Sequence, residues 1–163
     1  MRVLLSPFCK PMRNDKRNPK EYPWWNDVVK QLVEHDVGVV QLSTKVDPTL
    51  PGTFLRYDDL SYSDIVEAVN VFDVWLSCDS FLPHLCYAYG LKPGVVVWGK
   101  SDPRVFGYPC NKNLIKSEGC LRRYQFNIWE EEQYDERVFV RPAVVMESVL
   151  SLLSRHIVNP GAS

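Results

Sequence analysis

The sequence predicts one doubly wound α/β domain, with helices on both faces of a mainly parallel sheet. Three observations predict it. Short apolar runs alternate with amphipathic helical segments along the chain. Several of those runs, VGVVQL and GVVVWG among them, are apolar almost throughout, the pattern of strands buried on both faces. A length of 163 residues suits one domain with a sizeable core, and no repeat, low-complexity tract or boundary divides it. The domain is expected over 1–158, with 159–163 as a frayed tail.

Each element has a local reason. RVLLSPF (2–8) is an apolar run stopped by Pro7 and reads as a buried strand. The polar stretch CKPMRNDKRNPKEYP (9–23) follows as a loop. WWNDVVKQLVEH (24–35) reads as a helix: Pro23 stands at its start, and Trp25, Val28, Val29, Leu32 and Val33 share one face. VGVVQL (37–42) is a second strand. STKVDPTLPGTFLRYDD (43–59), with two prolines and a glycine, reads as loop. Ser61 and Asp64 have the spacing of a capping box, so a helix is expected over 63–71. DVWLSC (73–78) is a third strand, and SFLPHLCYAYG (80–90) a helix closed by Gly90. GVVVWG (94–99) is a fourth strand, KSDPRVFGYPCNKN (100–113) a loop, and NLIKS (113–117) a short fifth strand. The charged segment EEEQYDERVFV (130–140) is expected to be solvated. A last helix covers 142–157, with Pro142 in its first turn.

Composition narrows the function classes. A net charge of −1 and a pI near 6.3 argue against charge-driven binding to nucleic acid or membrane surfaces. No apolar run approaches the ~20 residues of a membrane span. The five cysteines are odd in number, scattered and without a C-x-x-C pair, so reduced thiols and a cytoplasmic location are expected. His and Cys fall at no zinc-ligand spacing, and no metal site is expected.

The stretch SCDSFLPHLCYAYG (77–90) is the candidate site. In such sheets ligands bind beyond the carboxyl ends of strands, near the point where strand order reverses. Asp79 and Ser80 stand at such an end and open a helix, whose N-terminus offers unpaired N–H groups and partial positive charge to a phosphate. Ser80 adds a hydroxyl donor, and His84 stands one turn in. Two simpler roles stay open: Asp79 or Ser80 as a helix cap, and His84 as a satisfied core histidine. Residues 10–20 gather Lys10, Arg13, Lys16, Arg17 and Lys20 against Asp15 alone, a basic loop beyond the first strand that can close over an anion.

These segments resemble the donor-binding half of family 9 glycosyltransferases, the heptosyltransferase group. That family reads strand, Val-Asp-Thr/Ser-Gly-x-x-His, a small-residue helix, then a strand ending Gly-Pro-Thr-Asp-Pro. Asp79, Ser80 and His84 fall on the Asp, Thr/Ser and His. Ala88 falls in the helix, and Gly99, Ser101, Asp102 and Pro103 fall on the final turn. Lys20 and Pro23 match an earlier Lys-x-Trp/Tyr-Pro motif. The similarity spans roughly 2–155. It implies one Rossmann-like half of a GT-B glycosyltransferase, binding a nucleotide-diphosphate sugar such as an ADP-sugar without an essential metal or further cofactor. Lys20, Asp79, Ser80 and His84 would hold the diphosphate, with Phe81, Ser101, Lys10 and Arg13 around it. Asp58 and Asp59 then read as loop or cap rather than as metal ligands.

Three departures stand out. The acceptor-binding half, with the family's general base, would precede Met1, so a homo-oligomer or a separate acceptor-binding subunit would complete the cleft. Phe81 stands where the family has Gly, where its ring either blocks a phosphate or stacks on a base or sugar. Lys100 replaces a Pro and is expected as one more phosphate contact. For the general base, Asp79 and Asp102 are the local candidates. Two uses follow: transfer of the sugar to an acceptor, or non-catalytic binding that sequesters or senses a nucleotide or nucleotide sugar. A nucleic-acid partner rests only on the basic loop and the aromatic content and is set aside.

Overall fold

The computed structural model describes residues 1–158; the expected frayed tail lies outside the described residues. Six strands form one sheet: β1 (Arg2–Ser6), β2 (Gly38–Ser43), β3 (Leu55–Asp58), β4 (Val74–Cys78), β5 (Val95–Val97) and β6 (Lys112–Leu114). Their order is β3-β2-β1-β4-β5-β6, and every pairing is parallel. This is the doubly wound order, and it reverses between β1 and β4. Four α-helices lie between strands, α1 (Trp25–Glu34), α2 (Tyr62–Val71), α3 (Phe81–Ala88) and the short α4 (Pro103–Phe106), and α5 (Pro142–Val158) follows the last strand.

Alternation along the strands divides the core. Val3 and Leu5 of β1 pack with Trp25, Val28, Val29 and Leu32 of α1 and Val145, Val149 and Leu153 of α5. Leu4, between them in sequence, faces the other way, onto Ile65, Ala68 and Val69 of α2 and Leu82 and Cys86 of α3. The α1 face shows the pattern read from the sequence, except that Val33 is exposed. The capping box forms as expected: Ser61 accepts from the Asp64 N–H, and the Asp64 carboxylate accepts from the Ser61 N–H.

Trp75 anchors the second layer. It is fully buried, and its indole N–H donates to the Lys92 carbonyl at 2.8 Å. Gly94 lets the chain pass over its ring, since a Cβ there would stand 2.2 Å from ring carbons.

The structure corrects the sequence reading in four places. The expected 43–59 loop contains β3. This edge strand has only four residues, with exposed ends, and its prolines and glycine lie just before it; neither apolar alternation nor length marks it. The expected 100–113 loop contains α4, a single turn capped by Asp102. The strand expected at 113–117 forms one residue earlier, at Lys112–Leu114, as the sheet's sixth. Within the expected solvated segment, Val138, Phe139 and Val140 are buried beside α5. Their charged neighbours hide a short apolar triplet that covers Gly99, where a Cβ would meet the Phe139 ring at 2.7 Å.

Candidate functional site

The parallel register brings the carboxyl ends of β1 and β4 to the same level, with Ser6 opposite Ser77. The chains leave β1 and β4 on the side where the strand order reverses. Two clefts open there and share Phe8, Cys9, Lys10, Pro11 and Phe81. One, of about 790 Å³, extends over β2 and β3; its floor includes Leu42, Leu60, Ile65 and Tyr62, and its polar groups include Asp47, Asp59, Ser43 and Thr44. The other, of about 590 Å³, extends over β4; it holds Lys20, Arg13, Asp79, Ser80, Trp129 and Glu130.

Their charges differ. In the first cleft Lys10 stands with Asp47 and Asp59, and Asp59 is itself paired with Lys45 at 3.5 Å, so the charges balance. The second sets Lys10, Arg13 and Lys20 against Asp79 and Glu130, three cations against two. An apolar, charge-balanced cleft therefore continues into a cationic one.

Lys20 is the centre of the second cleft. Its ammonium lies 2.8 Å from Asp79 Oδ2. Asp79 is only 4% exposed and also accepts a hydrogen bond from the buried Ser101 hydroxyl. An ammonium has three N–H donors, and Asp79 takes one. The same nitrogen lies 4.7 Å from the centroid of the Trp129 ring. Asp79 and Ser101 thus position a cation that lines the cleft with two donors Asp79 does not take.

Ser80 occupies the N-cap position of α3, but among the described residues its side chain makes no capping bond, and its buried Oγ has no partner. The first turn of α3 is therefore not closed by a side-chain cap, and a buried hydroxyl stands at it unpaired. An unpaired buried hydroxyl is costly unless a ligand satisfies it. Phe81, the first residue of α3, is partly exposed at the junction of the clefts. Its ring lies 6.4 Å from that of Tyr62.

Other expected site residues are placed elsewhere. His84 is exposed; its Nδ1 pairs with the Tyr108 hydroxyl at 2.8 Å, and it lines neither cleft. Lys100 is bound to Glu132 at 3.0 Å and to the Gln133 carbonyl at 2.7 Å, which corrects its expected phosphate role. Arg17 pairs with Glu21 and stacks on Tyr134, away from both clefts. Arg13 lines the second cleft with a side chain 92% exposed, 3.9 Å from Glu130.

Asp102 caps α4 and is gripped by the Arg104 guanidinium at 2.8–3.1 Å. Hydrogen bonds from Arg104 hold its carboxyl below the usual aspartate range, which makes it a poor proton acceptor. Both candidate bases, Asp79 and Asp102, are thus already engaged. Asp58 pairs with Arg56, and Asp59 with Lys45.

The sequence reading missed Trp129, Phe8, Tyr62, Asp47 and Asp59 as lining residues. Trp129 sits in a 3₁₀ turn (Trp129–Glu131) within a long irregular segment, where no periodicity predicts which side chain returns to the sheet.

No protein-family model and no curated protein matches the chain in sequence. Solved structures do match its fold. E. coli ADP-heptose LPS heptosyltransferase II superposes over 96% of this chain and 47% of its own, with a TM-score of 0.69 and 16% identity. The iron-containing dodecameric glycosyltransferase TibC of enterotoxigenic E. coli H10407 covers 98% of this chain and 48% of its own, with a TM-score of 0.67 and 13% identity. E. coli heptosyltransferase WaaC, solved with ADP, covers 68% and 36%, with a TM-score of 0.54 and 15% identity. The chain therefore spans about half the length of the first two. Its fold is that of one Rossmann-like half of a GT-B heptosyltransferase. TibC has also been solved with ADP-D-beta-D-heptose.

Proposed function

We propose that this chain is the donor-binding half of a glycosyltransferase and that it holds a nucleotide-diphosphate sugar across the two joined clefts. One observation carries this reading: an apolar, charge-balanced cleft runs directly into a cationic one at the switch point of the sheet. A base has apolar faces, a ribose has hydroxyls that donate to carboxylates, and a diphosphate carries negative charge. The larger cleft suits the base and ribose, with Asp47 and Asp59 as acceptors. The smaller suits the diphosphate, with Lys20, Lys10 and the Ser80 hydroxyl as donors. The neighbours solved with ADP or ADP-heptose support an ADP-sugar as the first candidate.

In transfer, Lys20 and the first turn of α3 would stabilise the leaving diphosphate. The acceptor's proton needs a base, and Asp79 and Asp102 are both held by cations. The base is then another carboxylate at the clefts, such as Asp47 or Glu130, or comes from another domain or subunit, as the acceptor site would. That same observation favours a second reading, in which the chain binds the nucleotide sugar without turning it over.

The test is native mass spectrometry and calorimetry against nucleosides, nucleoside diphosphates and nucleotide-diphosphate sugars. Diphosphates should bind ~10–100-fold more tightly than their nucleosides, the scale of one or two charge-assisted hydrogen bonds. Equal affinity for nucleoside and diphosphate, or no binding across the panel, rejects the proposal. An intact bound sugar favours sequestration; a cleaved one favours transfer.

A further inference from the structure

Where β1 and β4 lie side by side, their ends bring two thiols together. β4 ends on Cys78, which is fully buried. The chain leaving β1 passes through Pro7 and Phe8 to Cys9, half-buried on the wall that both clefts share. The two Sγ atoms are 3.3 Å apart. Backbone carbonyls hold them there: Cys78 Sγ lies 3.4 Å from the Pro7 oxygen, and Cys9 Sγ lies 3.5 Å from the Asp79 oxygen. A disulfide bond is about 2.0 Å long, so the sulfurs need to close by only about 1.3 Å. Cys9 can move because it stands in the loop, whereas Cys78 is fixed in the sheet. Neither thiol has a part in the ligand reading above.

We propose that Cys9 and Cys78 form an oxidisable dithiol in the ligand-side wall, which exchanges with low-molecular-mass disulfides to close an intramolecular disulfide. Cys9 is the entry thiol, since it faces the clefts, and Cys78 is the resolving thiol. The Cys9 thiolate attacks one sulfur of glutathione disulfide. A Cys9–glutathione bond forms, the glutathione S–S bond breaks, and the released glutathione takes up the proton that Cys9 lost. The Cys78 thiolate then attacks Cys9 Sγ and expels the second glutathione, which takes the Cys78 proton. Two protein thiols are oxidised and one glutathione disulfide is reduced, so no further reactant enters.

The hydrogen bond with Cys78 and burial hold the Cys9 thiol well above its ordinary range. The reactive thiolate is therefore scarce at neutral pH, and closure quickens by about tenfold per pH unit as the solution is made alkaline. Closure draws Cys9 off the shared wall and shifts Lys10, its neighbour in both clefts.

The reduced full-length protein, incubated with glutathione disulfide at neutral and at mildly alkaline pH, is acid-quenched, alkylated and mapped by peptide mass spectrometry. The expected product has lost two hydrogens, with the Cys9 and Cys78 peptides joined, and forms faster at the higher pH. In Cys78→Ala, Cys9 should accumulate a glutathione adduct; in Cys9→Ala, Cys78 should stay unmodified. The proposal is overturned if both thiols stay reduced while the exposed Cys110 takes glutathione. A cross-link to Cys110 or Cys120, or a lasting Cys9 adduct in the wild type, overturns it too. Should either variant fail to fold, the wild-type map alone decides.

Discussion

Replacing Lys20 by Met tests the centre of the site, because structure and binding respond differently. Asp79 is 4% exposed and faces two donors, Lys20 at 2.8 Å and the Ser101 hydroxyl. Lys20→Met keeps the aliphatic stem and leaves the carboxylate with Ser101 alone. Breaking a fully buried pair costs ~3–5 kcal/mol. The Lys20 side chain is 22% exposed, so water screens part of the interaction. The low end, about 3 kcal/mol, is therefore expected. With a urea slope of ~2 kcal/mol/M, the midpoint should fall by about 1.5 M. Asp79→Asn should cost only ~1 kcal/mol, because Lys20 can turn to water while Asn still accepts from Ser101. The double variant should cost about 2 kcal/mol where additivity would give about 4, a coupling of about 2 kcal/mol between the sites. Binding should not recover. If Lys20 also contacts the diphosphate, the double variant binds nucleoside diphosphate ~10-fold or more weakly than wild type, while nucleoside binding is unchanged. Additive stability costs would refute the buried-pair reasoning. Wild-type diphosphate affinity in the double variant would refute the role of Lys20 in binding.

Three other changes follow from particular contacts. Gly94→Ala puts a methyl 2.2 Å from the buried Trp75 ring and should cost ~2–3 kcal/mol or more by overpacking; calorimetry would show the loss in Tm, and a neutral result would mean the ring is not held there. Gln41 is fully buried and donates to Ser43 Oγ and the Pro48 carbonyl while accepting from the Leu50 N–H, so Gln41→Leu should cost ~2–4 kcal/mol and raise hydrogen exchange across 44–53; unchanged protection there would show that the side chain does not hold the loop. Asp102 is held below the usual carboxylate range by Arg104, so its contribution to stability is present above the ordinary aspartate pKa and is lost as pH falls through the lowered folded value. Asp102→Asn keeps a capping oxygen; its urea midpoint should trail the wild type at neutral pH and meet it in acid, and a pH-independent gap would sink the assignment.

The central strands were legible because burial on both faces leaves little choice of residue. Val39, Val40, Val95, Val96 and Val97 are all buried, and each lies in a run that announces itself. The helices of the two layers were legible for the same reason, from one apolar stripe each. The edges were not. β3 needs only one face of contact, so Leu55–Asp58 carries polar and exposed residues and reads as loop. Phe139 was hidden by the opposite effect: two apolar neighbours cannot outweigh a charged window, although Phe139 fills the space above Gly99.

The site divides in the same way. Asp79, Ser80 and Lys20 could be expected together because strand ends and helix starts fix where a turn must lie, and parallel register then sets the β1 and β4 ends level. His84 was expected beside them because it falls on the family's His position; one helical turn of spacing gives only a face, and its Nδ1 pairs with the Tyr108 hydroxyl at 2.8 Å, outside the clefts. Trp129 could not be placed at all: it arrives from a 3₁₀ turn more than a hundred residues from Lys20, and only the packed chain shows its ring beside the ammonium. Asp79 carries the sharpest lesson. A carboxylate in a phosphate cradle looks misplaced on charge alone. Its burial and its Ser101 bond show what it does: it fixes Lys20 at the mouth of α3 at the cost of one of three N–H donors. An aspartate lodged this way positions a cation and is a poor choice for taking a proton. The same argument moves the search for a general base away from Asp79 and Asp102, to the other carboxylates at these clefts, Asp47 and Glu130, and to whatever faces them from outside the chain.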